Sequence, residues 1–342
     1  MPRNDERPDL GVVAIGRNEG ERLRRCLESV RLPGATVVYV DSGSQDGSVP
    51  LARSLGVEVV ELDLSIPFTA ARARNEGWRH LHQLRPALEF VQFVDGDCEL
   101  VGGWIASALQ VLGERADVAV VCGRVRERDR EASIYNRLCD LEWNTPIGEA
   151  DACGGNALMR FSALAEVGGF DPGIIAGEEP ELCQRLRARG SKVLRIDADM
   201  VLHDAAMTRL DQWWRRTVRT GHGIADSIAR NRSASPAVDV QRMRSAFTWA
   251  MVFPALVATG LGVALQRSSI ATALAVLGGA VLLLLLQTIR IALRRNLPGE
   301  NGADAAVYAV GCMAAKVPQL AGMLGYFARR LRGLRPRLIE YK

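Results

Sequence analysis

Over its first two thirds the chain alternates short β-branched apolar runs with stretches whose apolar positions recur every three to four residues. Val12-Val13-Ala14-Ile15, Val37-Val38-Tyr39-Val40 and Phe90-Val91-Gln92-Phe93-Val94 read as buried strands. Val57-Glu58-Val59-Val60-Glu61-Leu62 alternates instead, as a half-buried strand does. Between these runs, residues 19–30 put Leu23, Leu27 and Val30 on one helical stripe, and residues 70–84 form a second helix. Strands separated by helices pair in parallel, so the expected class is α/β: a doubly wound, mainly parallel sheet flanked by helices. From Val118-Ala119-Val120-Val121-Cys122-Gly123 onward the pattern is less regular. A helix over 179–189, a strand at Lys192-Val193-Leu194-Arg195-Ile196 leading to His203, and a cationic helix over 210–230 complete this part.

Beyond about Gln241 the periodic pattern gives way to unbroken apolar stretches. Residues 247–265 and 270–293 each approach the roughly 20 apolar residues that a bilayer crossing takes. Only Gln266-Arg267-Ser268-Ser269 separates them, so they read as a transmembrane helical hairpin. Arg242 and Arg244 precede the first stretch; Arg290, Arg294 and Arg295 close the second. Cations favour the cytoplasmic side, which predicts a multi-pass protein of the plasma (inner) membrane with its α/β part in the cytoplasm. A third apolar stretch, 305–327, contains Lys316 and Pro318 and leads to Arg329, Arg330, Arg332, Arg335 and Arg337. A single crossing would export that basic tail, so an amphipathic interfacial or re-entrant helix is expected. The expected domains are 1–235, cytoplasmic α/β; 236–300, two transmembrane helices; and 301–342, interfacial or re-entrant helix and basic tail.

The net charge of +4 on 342 residues is nearly balanced, but acidic residues almost vanish after Gln241. The basic residues cluster around apolar stretches rather than on an aromatic-rich soluble face, so no nucleic-acid partner is expected. Seven cysteines (Cys26, Cys98, Cys122, Cys139, Cys153, Cys183 and Cys312) are scattered and never form C-x-x-C. That spacing argues against a disulfide frame or a structural zinc site and for a reducing compartment. The opening Met-Pro-Arg-Asn-Asp-Glu-Arg-Pro-Asp is polar, unlike a secretory leader.

Candidate chemistry sits where the strands end. Asp41-Ser42-Gly43-Ser44 and Asp95-Gly96-Asp97 each follow an apolar run directly, at the sheet edge where open α/β folds bind ligands. Two acids around one glycine repel each other unless a cation neutralises them. Mg²⁺ or Mn²⁺, held by carboxylates and completed by substrate phosphates, uses both. Blander readings exist for each feature. Asp-Gly makes turns, Asp41 suits a helix N-cap, and Glu178-Glu179 suits a first helical turn. Gly16-Arg17-Asn18-Glu19-Gly20 is not G-x-G-x-x-G and carries no dinucleotide fingerprint.

Taken in order, these segments resemble the family 2 glycosyltransferases with a GT-A fold, over about residues 12–223. Val13-Ala14-Ile15-Gly16-Arg17-Asn18-Glu19 is similar to the first-strand segment, and Asp41 to Ser48 to the Asp-Asp/Ser-Gly-Ser-x-Asp-Gly loop. Ala73-Arg74-Asn75-Glu76-Gly77 resembles the Ala-Arg-Asn-x-Gly helix start, and Asp95-Gly96-Asp97 the DxD metal motif. Gly154-Gly155-Asn156 with Val167-Gly168-Gly169-Phe170-Asp171 looks like the acceptor-side segment. Gly177-Glu178-Glu179-Pro180-Glu181-Leu182 with Arg185-Leu186 looks like the base motif, although Glu-Glu-Pro replaces the commoner Glu-Asp.

The resemblance implies roles. Glu19 and Asp41 would contact the nucleoside, and Arg74 the diphosphate or the acidic loop. Asp95 would bind ribose and metal; Asp97 and His203 would be metal ligands. Gly154, Gly155 and Asn156 would face the acceptor. Glu179, or Glu178 in its place, would be the base that deprotonates the acceptor hydroxyl. A single base with direct displacement implies inversion. Gln212-Trp213-Trp214-Arg215-Arg216-Thr217-Val218-Arg219 resembles the Gln-x-x-Arg-Trp segment of membrane-embedded synthases. Its tryptophans suit a headgroup layer, and Arg215, Arg216 or Arg219 a donor or lipid phosphate.

The implied activity is transfer of a sugar from a nucleotide-diphosphate sugar to a lipid-linked or glycan acceptor, in surface or exported polysaccharide assembly beside membrane lipid. Direct transfer to polyprenyl phosphate is the alternative within the class, and radiolabelled lipid products separate the two. A non-catalytic nucleotide-binding membrane scaffold is the alternative outside it, opposed by the presence of Asp95, Asp97 and Glu179.

Overall fold

A computed structural model describes residues 9–230 and 236–334. The polar opening, Arg335 and Arg337 therefore fall largely or wholly outside the described residues. The chain divides into two compact units, one comprising 1–132, 143–206 and 232–234, the other 133–142, 207–231 and 235–342.

The first unit begins with β1 (Leu10–Gly16), α1 (Glu21–Ser29), β2 (Thr36–Asp41), α2 (Ser48–Ser54), β3 (Glu58–Glu61), α3 (Ala70–Leu84) and β4 (Phe90–Asp95). After β5 (Cys98–Leu100), α4 (Trp104–Glu114) and β6 (Val118–Glu127), α5 (Ile134–Trp143) crosses from the second unit back to the first. The first unit continues with β7 (Gly148–Glu149), β8 (Ala157–Arg160), α6 (Phe161–Glu166), α7 (Glu178–Ala188) and β9 (Lys192–His203). The sheet runs β3-β2-β1-β4-β8-β6-β9-β5, with β7 on β9. β3, β2, β1 and β4 are mutually parallel, whereas β8 is antiparallel to both its neighbours. Val12, Val13, Ala14, Val40 and Phe93 are fully buried, which is why their strands read as unbroken apolar runs: helices cover both faces.

Two of the boundaries that differ from the sequence expectation bear on the site. α1 starts at Glu21 rather than residue 19, because Asn18 and Gly20 adopt φ of +55° and +52° and hold the preceding loop out of the helix. β9 extends to His203, since its second half pairs with β5 and β6 and so gains a ladder on both sides. All seven cysteines are free thiols.

The second unit holds the first nine residues of α5, then α8 (Leu210–Ala229), α9 (Pro236–Phe247), a π-helical turn at Thr248–Val252, α10 (Phe253–Gln266), α11 (Ile270–Arg294), α12 (Gly302–Ala314) and α13 (Lys316–Leu331). Among the described residues, three helices are long and apolar enough to cross a membrane: 237–266, 270–294 and 302–331. They are not alike. The most apolar windows of the first two are 6% and 0% buried within the molecule, that of the third 33%. The third packs on α8, where Gly221 and Gly322 face the partner backbone. A methyl on either would lie 2.1 Å from a carbonyl oxygen, Gln319 O or Val218 O, so larger side chains would push the helices apart. Trp213 belongs to this packing, buried with Leu138 and Ala315. That corrects the expectation of two headgroup tryptophans: Trp213 fills core, and only Trp214 is exposed.

Candidate active site

Strand register builds the frame. Gly16 at the end of β1 lies opposite Asp41 of β2, and Ile15 opposite Asp95 of β4. Both acids therefore leave the sheet at one edge, either side of β1. Asp41 is buried and accepts from the Tyr39 hydroxyl (2.8 Å) and the Gly43 and Ser44 amides (2.9 and 2.7 Å). Burial and that carboxylate push the Tyr39 hydroxyl far above its ordinary range, so it stays a donor. The loop after β1 is tied to the loop after β2: the Gln45 amide donates to Asn18 Oδ1 (2.7 Å) and the Gly20 amide to Asp46 (2.9 Å). Glu19, in that loop, pairs with Arg22 at 2.9 Å.

Arg74 organises the next layer. Thr69 caps α3 by accepting from the Arg72 amide at 3.1 Å, and the first turns of that helix carry Arg74 into the interior. Its guanidinium donates to Asp95 Oδ1 (2.9 Å) and Glu178 Oε1 (2.8 Å), and lies 3.5 Å from Glu179 Oε1. One buried cation thus links the acidic loop to the start of α7. Asn75 beside it holds Phe170, donating to its carbonyl at 2.7 Å and accepting from its amide at 2.9 Å. Gly155 presses on the same junction: a methyl there would sit 2.5 Å from Asp95 Oδ2 and 2.6 Å from Arg74 Nη2. Asn156 Oδ1 accepts from the Asp95 amide at 2.9 Å. The Gly154-Gly155-Asn156 segment therefore lies against the acidic loop itself.

Glu178 and Glu179 differ in access. Glu178, with 5% of its side chain exposed, is the closer partner of Arg74; Glu179 keeps 16% exposed. Burial, and then the neighbouring Glu178 carboxylate, push the Glu179 carboxyl up to about 7, with Arg74 opposing. A carboxylate of that basicity at a partly buried position with some solvent access can take a proton near neutral pH.

The other side of the acidic loop is built by β9. His203 pairs with Cys98 of β5 on one side and Glu127 of β6 on the other. Its Nε2 lies 3.4 Å from Asp97 Oδ2, and its Nδ1 lies 3.0 Å from Glu127 Oε2. Glu127 Oε1 also accepts from the Ala205 amide at 3.0 Å, which fixes the carboxylate. A carboxylate at Nδ1 favours the proton there and turns the Nε2 lone pair toward Asp97. Trp143 stands edge-on to the imidazole, with ring centroids 4.3 Å apart.

Asp97, Cys98 and His203 bring candidate ligand atoms within 4.8 Å of one another. Burial holds the Cys98 thiol well above its ordinary range and therefore protonated. The usable set is one carboxylate oxygen facing one imidazole nitrogen, which suits Mg²⁺ or Mn²⁺ better than a thiophilic ion. Two electron-rich atoms facing each other at 3.4 Å also repel unless a proton or cation lies between them.

Residues 12–168 match the family model described as Glycosyl transferase family 2. That match covers just under half of the chain. The pre-mycofactocin glycosyltransferase of Mycobacterium tuberculosis is 28% identical to it over 254 residues, 67% of this chain and 50% of that protein. Glycosyltransferase AglE of Haloferax volcanii is 25% identical over 196 residues, 54% of this chain and 62% of that protein. The chain thus spans about half the length of the mycobacterial relative. Mannosyltransferase PcManGT from Pyrobaculum calidifontis, solved with GDP-Man and Mn²⁺, has a similar fold. Its TM-score is 0.58 at 19% identity, over 94% of this chain and 89% of that one.

The sequence motifs omit Glu127 and Trp143. Glu127 sits in an irregular charged stretch, Arg124-Val125-Arg126-Glu127-Arg128, with no motif around it. Only the pairing of β6 with β9 brings it to His203. Arg215, Arg216 and Arg219 lie on α8 in the second unit, where Arg215 pairs with Asp211 at 3.3 Å and Arg216 with Glu142 at 2.6 Å.

Proposed function

We propose that this glycosyltransferase transfers a sugar from a nucleotide-diphosphate donor to an acceptor hydroxyl, inverting the anomeric centre. The observation that carries the reading is the join made by Arg74: one guanidinium holds Asp95 and both carboxylates of Glu178-Glu179. The donor edge and a basic carboxylate therefore belong to one constellation. Asp97 and His203, with Asp95, would hold Mg²⁺ or Mn²⁺, and that ion would stabilise negative charge on the departing diphosphate. Asp41 and Glu19 would contact the nucleoside. Asp41 already accepts from three donors, so it presents a fixed rather than adaptable acceptor. Gly155 and Asn156 would set the position of Asp95 while the adjoining segment meets the acceptor.

Glu179 is the base in this reading. It removes the acceptor proton as the hydroxyl attacks, while Glu178 keeps Arg74 in place. A base needs access and basicity, and Glu179 has more of the first and a pKa of about 7. The apolar helices 237–266 and 270–294 support anchoring in the plasma membrane with the catalytic unit on the cytoplasmic side. A lipid-linked or glycan acceptor in polysaccharide assembly fits that location, with the α8 arginines serving donor or lipid phosphate.

The test is a sugar-nucleotide panel with the full chain in detergent and Mn²⁺, read as labelled product in lipid and aqueous extracts. Transfer that requires Mn²⁺ or Mg²⁺ and is lost in Glu179→Gln supports the reading. Full transfer by Glu179→Gln, or transfer indifferent to chelation, defeats it.

A further inference from the structure

Helix α1 touches the acidic loop and its neighbours at successive turns. Arg22, Arg25, Cys26 and Ser29 recur at three- and four-residue spacing, which puts them on one helical face. The Cys26 thiol lies 3.6 Å from the Asp95 carbonyl oxygen, and Ser29 Oγ accepts from the Leu100 amide of β5 at 2.9 Å. Arg25 pairs with Glu99 of β5 and with Asp204, each at 2.8 Å. Arg22 pairs with Glu19 at 2.9 Å and donates to the Asp204 carbonyl at 3.4 Å.

These contacts converge on Asp204, the residue directly after His203. Its amide donates to the Asp97 carbonyl at 2.9 Å. The backbone of Asp204 therefore joins the segment carrying Asp97 to the segment carrying His203. Its carboxylate is held by Arg25 and its carbonyl by Arg22. The His203 carbonyl accepts from the Arg128 amide at 2.8 Å, and Arg128 pairs in turn with Glu99. Arg22, Arg25 and Arg128 thus face Glu19, Glu99 and Asp204, and the network is neutralised within the chain.

These side chains keep 10–33% of their surface exposed. Ion pairs with that much solvent add little to stability. What they fix is position. An arginine fork held by two carboxylates keeps little rotamer freedom, and a metal site depends on how the groups behind its ligands hold them.

We propose that Asp204 is a positioning residue, which through Arg25 fixes Asp97 and His203 against α1. The inference rests on the reading above, in which Asp97 and His203 hold Mn²⁺ or Mg²⁺. It is measured by cation binding, so glycosyl transfer can fail without it.

Mn²⁺ is titrated into the full chain in detergent, and the free ion is read by electron paramagnetic resonance. Asp204→Asn keeps the backbone contacts and removes the charge that Arg25 holds. Mn²⁺ affinity should fall about tenfold, the low end for outer-shell partners, with the melting temperature near wild type. Arg25→Gln should do the same. The double variant should be no weaker than either single one, because the two side chains act as a pair. Asp204→Glu, which restores the charge, should recover most of the affinity. Asp117→Asn, which breaks the exposed Arg115–Asp117 pair, should leave Mn²⁺ binding unchanged. Wild-type affinity in Asp204→Asn or in Arg25→Gln overturns the proposal and leaves the cation reading standing. An equal loss in Asp117→Asn reduces the effect to surface charge and overturns it too, as does a collapse in melting temperature, which would make Asp204 structural. No Mn²⁺ binding by the wild type removes the cation reading and the proposal together.

Discussion

Asp95 and Asp97 stand two residues apart, yet they face different company. Asp95 shares a buried guanidinium with Glu178 and Glu179. Asp97 faces an imidazole whose far side is fixed by Glu127. One half of the acidic loop is balanced by a cation that the chain supplies itself. The other half sets a carboxylate oxygen against an imidazole nitrogen. The two aspartates of one tripeptide are therefore not interchangeable: the first is tied through Arg74 to the acidic start of α7, and the second faces His203.

The largest expected effect tests the second half. Asp97→Ala should reduce glycosyl transfer to background and abolish Mn²⁺ binding, read by electron paramagnetic resonance of free Mn²⁺, while the melting temperature changes little. Retained Mn²⁺ affinity would erase the proposed distinction. Next comes the base. Glu179→Gln should lower kcat by about 10²–10⁴-fold without weakening Mn²⁺ binding, and Glu178→Gln should act mainly on stability. Reversed effects would move the base to Glu178.

The first half is tested through its cation. Arg74→Met leaves buried carboxylates uncompensated and should cost about 3–5 kcal/mol of stability, measured by chemical denaturation. A stable Arg74→Met enzyme would mean that Asp95 and the α7 acids do not depend on one another. Glu127→Gln should be milder, weakening Mn²⁺ about 10–100-fold as outer-shell partners of ligand histidines do, with the fold intact.

The smallest effect is in pH. The Glu179 carboxyl is raised from 4.5 to about 7 in the folded chain. The folded state therefore holds this proton more tightly than the unfolded chain does. Its contribution to stability is full below the unfolded value and is lost as pH rises through the folded one. Glu179→Gln should flatten that loss. Activity runs the opposite way, because the base must be ionised: kcat/KM should rise with pH along an acid limb near 7. A limb near 4.5 would place Glu179 in a wetter setting.

Much of this was legible in the chain. Unbroken apolar runs marked β1, β2 and β4, because strands covered on both faces carry no polar alternation. Acids placed directly after those runs had to lie at one sheet edge, which located Asp41, Asp95 and Asp97. The base motif and His203 were legible only by resemblance, since an acidic helix start and a lone histidine occur widely for other reasons. Trp213 was misread because a tryptophan next to arginines looks alike whether it meets lipid or a packed helix. Contact with Leu138 and Ala315 decides it.

Sequence by itself determined the parallel core, the edge where the acids emerge and the apolar helices that follow, because each depends on local pattern and on strand direction. Tertiary structure alone decided which acid meets which cation. Arg74 reaches Glu178 across 104 residues, and Glu127 reaches His203 across 76. No local pattern encodes pairings of that span. They arise where register and helix packing close the loops between them, and the electrostatics of this site is fixed only there.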